Sequence, residues 1–136
     1  MLRFLQGATL IGATLSMGLM AGVFVLYAHT IMPGLGRTDD RTFVGAFQSI
    51  DRAIINPWFL PTFLGALLLT ALAAVLHLRE GRSVLSWILA ALLLYLVVFV
   101  ITVSVHLPLN DAIKGARDPD RIADLAAVRG RFDEVR

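Results

Sequence analysis

The chain is 136 residues long, enough for one domain, and 57% of it is hydrophobic against 16% charged; soluble domains carry roughly 45 to 50% and about 25%, so the composition argues against a soluble fold. A net charge of +2 from 12 basic and 10 acidic residues makes no phosphate-tracking patch, which argues against nucleic acid as a partner. With no cysteine there is no disulfide, no thiolate metal site and no cysteine nucleophile.

All 22 charges fall in four stretches, 1–3, 37–52, 79–82 and 111–136, which leaves uncharged runs of 33, 26 and 28 residues at 4–36, 53–78 and 83–110. Each exceeds the roughly 20 residues that cross a hydrocarbon core about 30 Å thick. The expected fold is therefore all-α and integral to a membrane. Three transmembrane helices are expected over about 5–32, 57–78 and 83–107, within a membrane domain at 1–110. The first run is too long for a signal-peptide core of about 7 to 15 residues. Eleven Arg to one Lys fits a GC-rich bacterial genome, and a cell membrane as the location.

In the first connection, Thr38-Asp39-Asp40 can cap a helix whose apolar residues Phe43, Phe47, Ile50 and Ile54 recur at spacings of four, three and four. This predicts an amphipathic helix over about 40–55 in the headgroup plane, ending where Asn56-Pro57 opens the second crossing. Residues 79–82 are too few to hold structure, so the second and third crossings are antiparallel neighbours. From Asp111 the chain has six basic and six acidic residues and cannot cross a membrane. Asp118-Pro119 can start a helix there, with Ile122, Leu125 and Phe132 along one side. The charges of the connections leave the orientation open.

Polar side chains in lipid usually face other helices, and small residues mark helix contacts. Gly18 and Gly22 form a GxxxG step in the first crossing, and His29, seven residues on, lies within about 20° of the same line. Both glycines are expected at a helix-packing face. In the third crossing Tyr95, Thr102 and His106 follow at spacings of seven and four. The first crossing is expected to end near Met32-Pro33 and the third near Leu107-Pro108, on the face where Asn56 starts the second. His29, Asn56, His106 and Asn110 then converge on one end of the bundle, and the amphipathic segment with Gln48 and Arg52 can cover it. Imidazoles can exchange protons near neutral pH, and amides with a guanidinium can hold an oxyanion. Such a set suits a phenolic, aromatic or lipid-like small molecule, and polar groups satisfying one another explains it equally well. Two histidines without nearby carboxylates make a weak metal site, so none is expected. HExxH, a phosphate loop and G-x-S-x-G are all missing.

Met17-Gly-Leu-Met-Ala-Gly-Val-Phe, Ile31-Met-Pro-Gly-Leu35, the run from Phe47-Gln-Ser-Ile-Asp-Arg to Asn56-Pro-Trp-Phe59, and the segment from Thr102 to Pro108-Leu-Asn110 together resemble the anthrone-oxygenase-like family of small integral membrane proteins. The resemblance covers roughly residues 10 to 135. It implies oxidation of anthrones to anthraquinones without a recognised cofactor, and makes Met32, Pro33, Gly34, Leu35, Gln48, Arg52, Asn56, Pro57, Pro108 and Asn110 the family-pattern positions. It also implies a fourth helix after a segment similar to Arg129-Gly-Arg-Phe-Asp-Glu, supplied by a longer chain or by a partner. Beyond the lipid bilayer, self-association or a partner membrane protein is therefore expected. Two functions stay open, an oxygenase for anthrone-like polycycles and a non-catalytic module binding a lipid-like ligand or a partner membrane protein.

Overall fold

The computed structural model describes residues 1–79, 82–115, 126–127 and 129–130. The expected helix from Asp118-Pro119 lies outside the described residues, as do Glu80 and Gly81 of the second connection. Four helical stretches precede residue 116, and no strand occurs among the described residues. Helix α1 covers Leu2–Leu35, α2 covers Asp40–Ile54 and α3 covers Phe59–Leu76. Helix α4 starts as Arg82–Ile101 and continues to residue 115. Three of them, α1, α3 and α4, are long and apolar enough to cross a membrane. The chain is an all-α membrane protein.

The helices run on past both prolines, α1 to Leu35 and α4 to residue 115. Proline lacks an N–H and its ring crowds the carbonyl four residues back, which here belongs to His29 for Pro33 and Ser104 for Pro108. Both helices absorb this by widening into one π turn and continuing, through Tyr27–Ile31 in α1 and Thr102–His106 in α4. The closing bonds run five residues, from Met32 N–H to the Tyr27 carbonyl and from Leu107 N–H to the Thr102 carbonyl.

The chain forms two compact units. The first comprises Met1–Phe24 and Asn56–Val100. Its inward face on α1 is Gln6, Thr9, Ala13 and Met20. Ala73, Ala74 and Ile88 form one core cluster, with Leu10 and Leu85 against it, and Met20, Phe63, Ala66 and Tyr95 form another. Buried polar groups are satisfied by backbone: the Gln6 amide donates to the Leu76 carbonyl at 2.8 Å, Thr9 to the Leu5 carbonyl at 2.8 Å and Thr70 to the Ala66 carbonyl at 2.7 Å. Of these, the Gln6 bond crosses from α1 to the end of α3 and so favours turning that side of α1 inward, because an unpaired amide in hydrocarbon costs several kcal/mol by rough estimate.

Gly18 and Gly22 do not form the packing face expected of them within this chain. They lie about 160° around α1 from Met20; both are exposed, and among the described residues nothing stands within 4 Å of a Cβ built on either. The close approach is at Gly12, where a Cβ would meet Leu69 Cδ1 at 3.1 Å.

The second unit comprises Val25–Ile55 and the described residues from Ile101 onward. Its core is Met32 with Phe43, Val44 and Phe47, joined by Tyr27 and Leu35. Phe43 and Val44 are both 0% exposed. Phe43, Val44 and Phe47 of the apolar face of α2 are thus covered by this unit's own residues. Asp39 caps α2, its Oδ1 accepting from Thr42 N–H at 3.0 Å and its Oδ2 from the Thr42 hydroxyl at 2.6 Å. Those bonds, the hydroxyl first, hold the Asp39 carboxyl below its ordinary range.

Candidate functional site

Of the residues singled out by sequence, His29, Gln48, Arg52, Thr102, His106 and Asn110 belong to the second unit, whereas Asn56 and Tyr95 belong to the first. His29 lies in the π turn of α1, and Thr102 and His106 are the first and last residues of the π turn of α4. Both imidazoles are exposed on the chain, and so is Arg52. Gln48 is 4% exposed, on the buried side of α2 with Phe43, Val44, Phe47 and Asp51.

Asn110 is brought against Asp51, its Nδ2 donating to Asp51 Oδ1 at 2.7 Å. This bond joins α2 to the end of α4 through a carboxylate that is 4% exposed. An aspartate buried on the apolar side of an amphipathic helix is held by such donors, since a carboxylate taken out of water needs hydrogen bonds in return.

Asn56 and Tyr95 have structural employment in the first unit. The Asn56 side-chain oxygen accepts from Trp58 N–H at 2.9 Å and Phe59 N–H at 2.8 Å, satisfying donors that α3 leaves open at its start. Tyr95 donates its hydroxyl to the Phe63 carbonyl at 2.9 Å, and its ring packs 6.0 Å from that of Phe63, which also stacks on Phe99 at 5.5 Å. A buried phenol finds an acceptor in this way while its ring fills the core.

Two residues outside the expected set stand out. His77 at the end of α3 is 3% exposed, with Nδ1 2.7 Å from the Ala73 carbonyl oxygen. A carbonyl only accepts, so Nδ1 carries a proton there. Arg129 is the other. Its Nη1 donates to the Thr38 carbonyl at 2.9 Å and to Asp40 Oδ1 at 2.8 Å, its Nη2 donates to the Gly36 carbonyl at 2.7 Å, and its guanidinium carbon lies 5.0 Å from the centre of the Phe43 ring. One planar fork thus ties the turn after α1 to the start of α2. The only sequence signal for it is its place in the Arg129-Gly-Arg segment.

No group of three or more His, Asp or Glu side chains stands close enough to hold a metal among the described residues. A family model described as anthrone oxygenase matches residues 57–134, more than half of the chain. The chain belongs to the anthrone oxygenase family. The match takes in Tyr95, Thr102, His106, Asn110 and Arg129 and begins after His29, Gln48, Arg52 and Asn56. No curated protein and no solved structure matches the chain.

Proposed function

We propose that the chain is a membrane oxygenase for phenolic polycycles of the anthrone type, with His29 and His106 supplying the base and Gln48 and Arg52 the oxyanion donors. The observation that carries this reading is the placing of both histidines in π turns, which recur at functional sites, in a member of the anthrone oxygenase family.

The chemistry needs only molecular oxygen as co-reactant. An imidazole takes a proton from the methylene carbon opposite the anthrone carbonyl, and the electron pair left behind spreads onto the carbonyl oxygen, where amide and guanidinium donors stabilise it. The carbanion gives its electrons to oxygen and bonds to it, forming a peroxide that takes a proton back from the imidazolium. Loss of the second proton from the same carbon, with cleavage of the O–O bond, expels hydroxide and leaves a new ketone; the hydroxide and the removed proton make water. Anthrone plus oxygen gives anthraquinone plus water.

Oxygen uptake with hydroxylated anthrones, in membranes and per amount of folded protein, is the test. His29→Gln or His106→Gln should slow turnover by about 10²- to 10⁴-fold, the usual share of general-base catalysis. His77→Gln, in the other unit, should leave the rate per folded protein nearly unchanged. Equal losses from all three replacements would mean destabilisation and not catalysis. A wild type inert towards several anthrones would favour the non-catalytic module for a lipid-like ligand or partner protein.

A further inference from the structure

We infer that Asp51 is a positioning residue for His106 and acts through Asn110. The inference rests on the reading that His106 does chemistry, but the placement itself does not depend on that reading. Asn110 follows His106 by four residues, about one helical turn, and follows Pro108 by two. His106 closes the π turn, and Asn110 lies in the α-helical end of α4 just beyond it.

A π turn holds one residue more than an α turn. If it closed to α geometry, everything downstream would rotate by about 100° and shift by about 1.5 Å. Such a rotation would carry the Asn110 amide away from Asp51, so the 2.7 Å bond belongs to the wide register alone. The bond is costly to give up, because Asp51 is 4% exposed and a buried carboxylate that loses a donor keeps its desolvation penalty. Asp51 itself is held by α2, whose Phe43, Val44 and Phe47 are packed against Met32. The second unit's core therefore fixes Asp51, Asp51 fixes Asn110, and Asn110 fixes the register in which the preceding turn presents His106.

Full-length protein with isotope-labelled histidine in lipid nanodiscs gives three imidazole signals, for His29, His77 and His106, assigned by single His→Gln replacements. Asn110→Asp sets two carboxylates against each other, and the His106 signal should move by more than its linewidth while that of His77 stays. Adding Asp51→Asn restores one amide opposite one carboxylate, and the His106 signal should return to within a linewidth of its original position. A His106 signal that does not move in Asn110→Asp, that moves without rescue by the double replacement, or that moves together with His77, overturns the inference. Where Asn110→Asp does not fold, Asn110→Ala takes its place with the same expected displacement, and an unmoved signal there overturns the inference as well. This readout needs no turnover, so a wild type inert towards anthrones would sink the proposed activity and leave the positioning result standing. Where turnover is measured, Asn110→Asp should lower kcat by about 10²-fold with KM little changed, the signature of a misplaced group and not of a lost substrate contact.

Discussion

Gly12 of α1 lies so close to Leu69 of α3 that a Cβ built on it would sit 3.1 Å from Leu69 Cδ1. Gly12→Leu should force these two helices apart and lower stability by about 1 to 3 kcal/mol, the usual cost of overpacking. Gly22→Leu meets open space in the chain and should melt within error of the wild type under monomeric conditions. Thermal unfolding in detergent separates the two, and a larger loss at Gly22 would reverse the assignment of the inward face.

Arg129 joins Gly36, Thr38 and Asp40 through one guanidinium. Arg129→Ala should cost about 2 kcal/mol, since bonds to a charged group are stronger than neutral ones. Arg129→Lys should recover less than half of that, because an ammonium cannot span the fork. Hydrogen exchange in peptides covering 36–45 should speed up in both variants, and unchanged exchange there would count against the clamp.

Asp39 supplies a pH dependence whose sign is fixed. Its carboxyl is held below the ordinary 3.8 in the folded chain by Thr42, so the charged form is the one that folding favours. The contribution is complete above the unfolded value and is lost as pH falls through the folded one. Asp39→Asn keeps an accepting oxygen for the cap without titrating. The stability of wild type relative to Asp39→Asn should therefore be steady from pH 7 to pH 5 and shrink on further acidification. A gap that widens in acid would contradict this.

Tyr95 tests whether a polar group in the bundle serves structure or ligand. Tyr95→Phe removes one buried hydrogen bond to the Phe63 carbonyl and should cost about 1 kcal/mol. In an oxygen-uptake assay KM should stay within about twofold, a bound on affinity of roughly 0.4 kcal/mol. A large rise in KM would return Tyr95 to the binding surface.

The crossings are legible in the sequence because charges are confined to the connections, and α2 is legible because Phe43, Phe47, Ile50 and Ile54 repeat at helical spacing behind Asp39. The inward side of α1 is not. Apart from Arg3, Gln6 and His29 its circumference is almost wholly apolar or small, so Gly18 and Gly22 look like a contact until Gln6 is seen reaching the Leu76 carbonyl, 70 residues away in sequence. Pro33 and Pro108 look like helix ends because a sequence shows the missing donor but not the wider turn that accommodates it. Asn56 is readable as a helix start, and its side-chain oxygen caps α3. His29 and His106 are readable as polar residues near one membrane face, whereas their shared π geometry is a property of the folded backbone. Asp51 looks like part of the polar side of α2, since its long-range partner Asn110 lies 59 residues on.

Helix α3 has little freedom in length. Asn56 and Pro57 fix its start, His77 folds back on its last turn, and Arg79 follows. Its 18 residues rise about 27 Å, against a typical hydrocarbon thickness of about 30 Å. Lipid acyl-chain length is thus felt first here: short chains meet the helix ends, while long chains require the bilayer to thin around it or the flanking residues to reach outward.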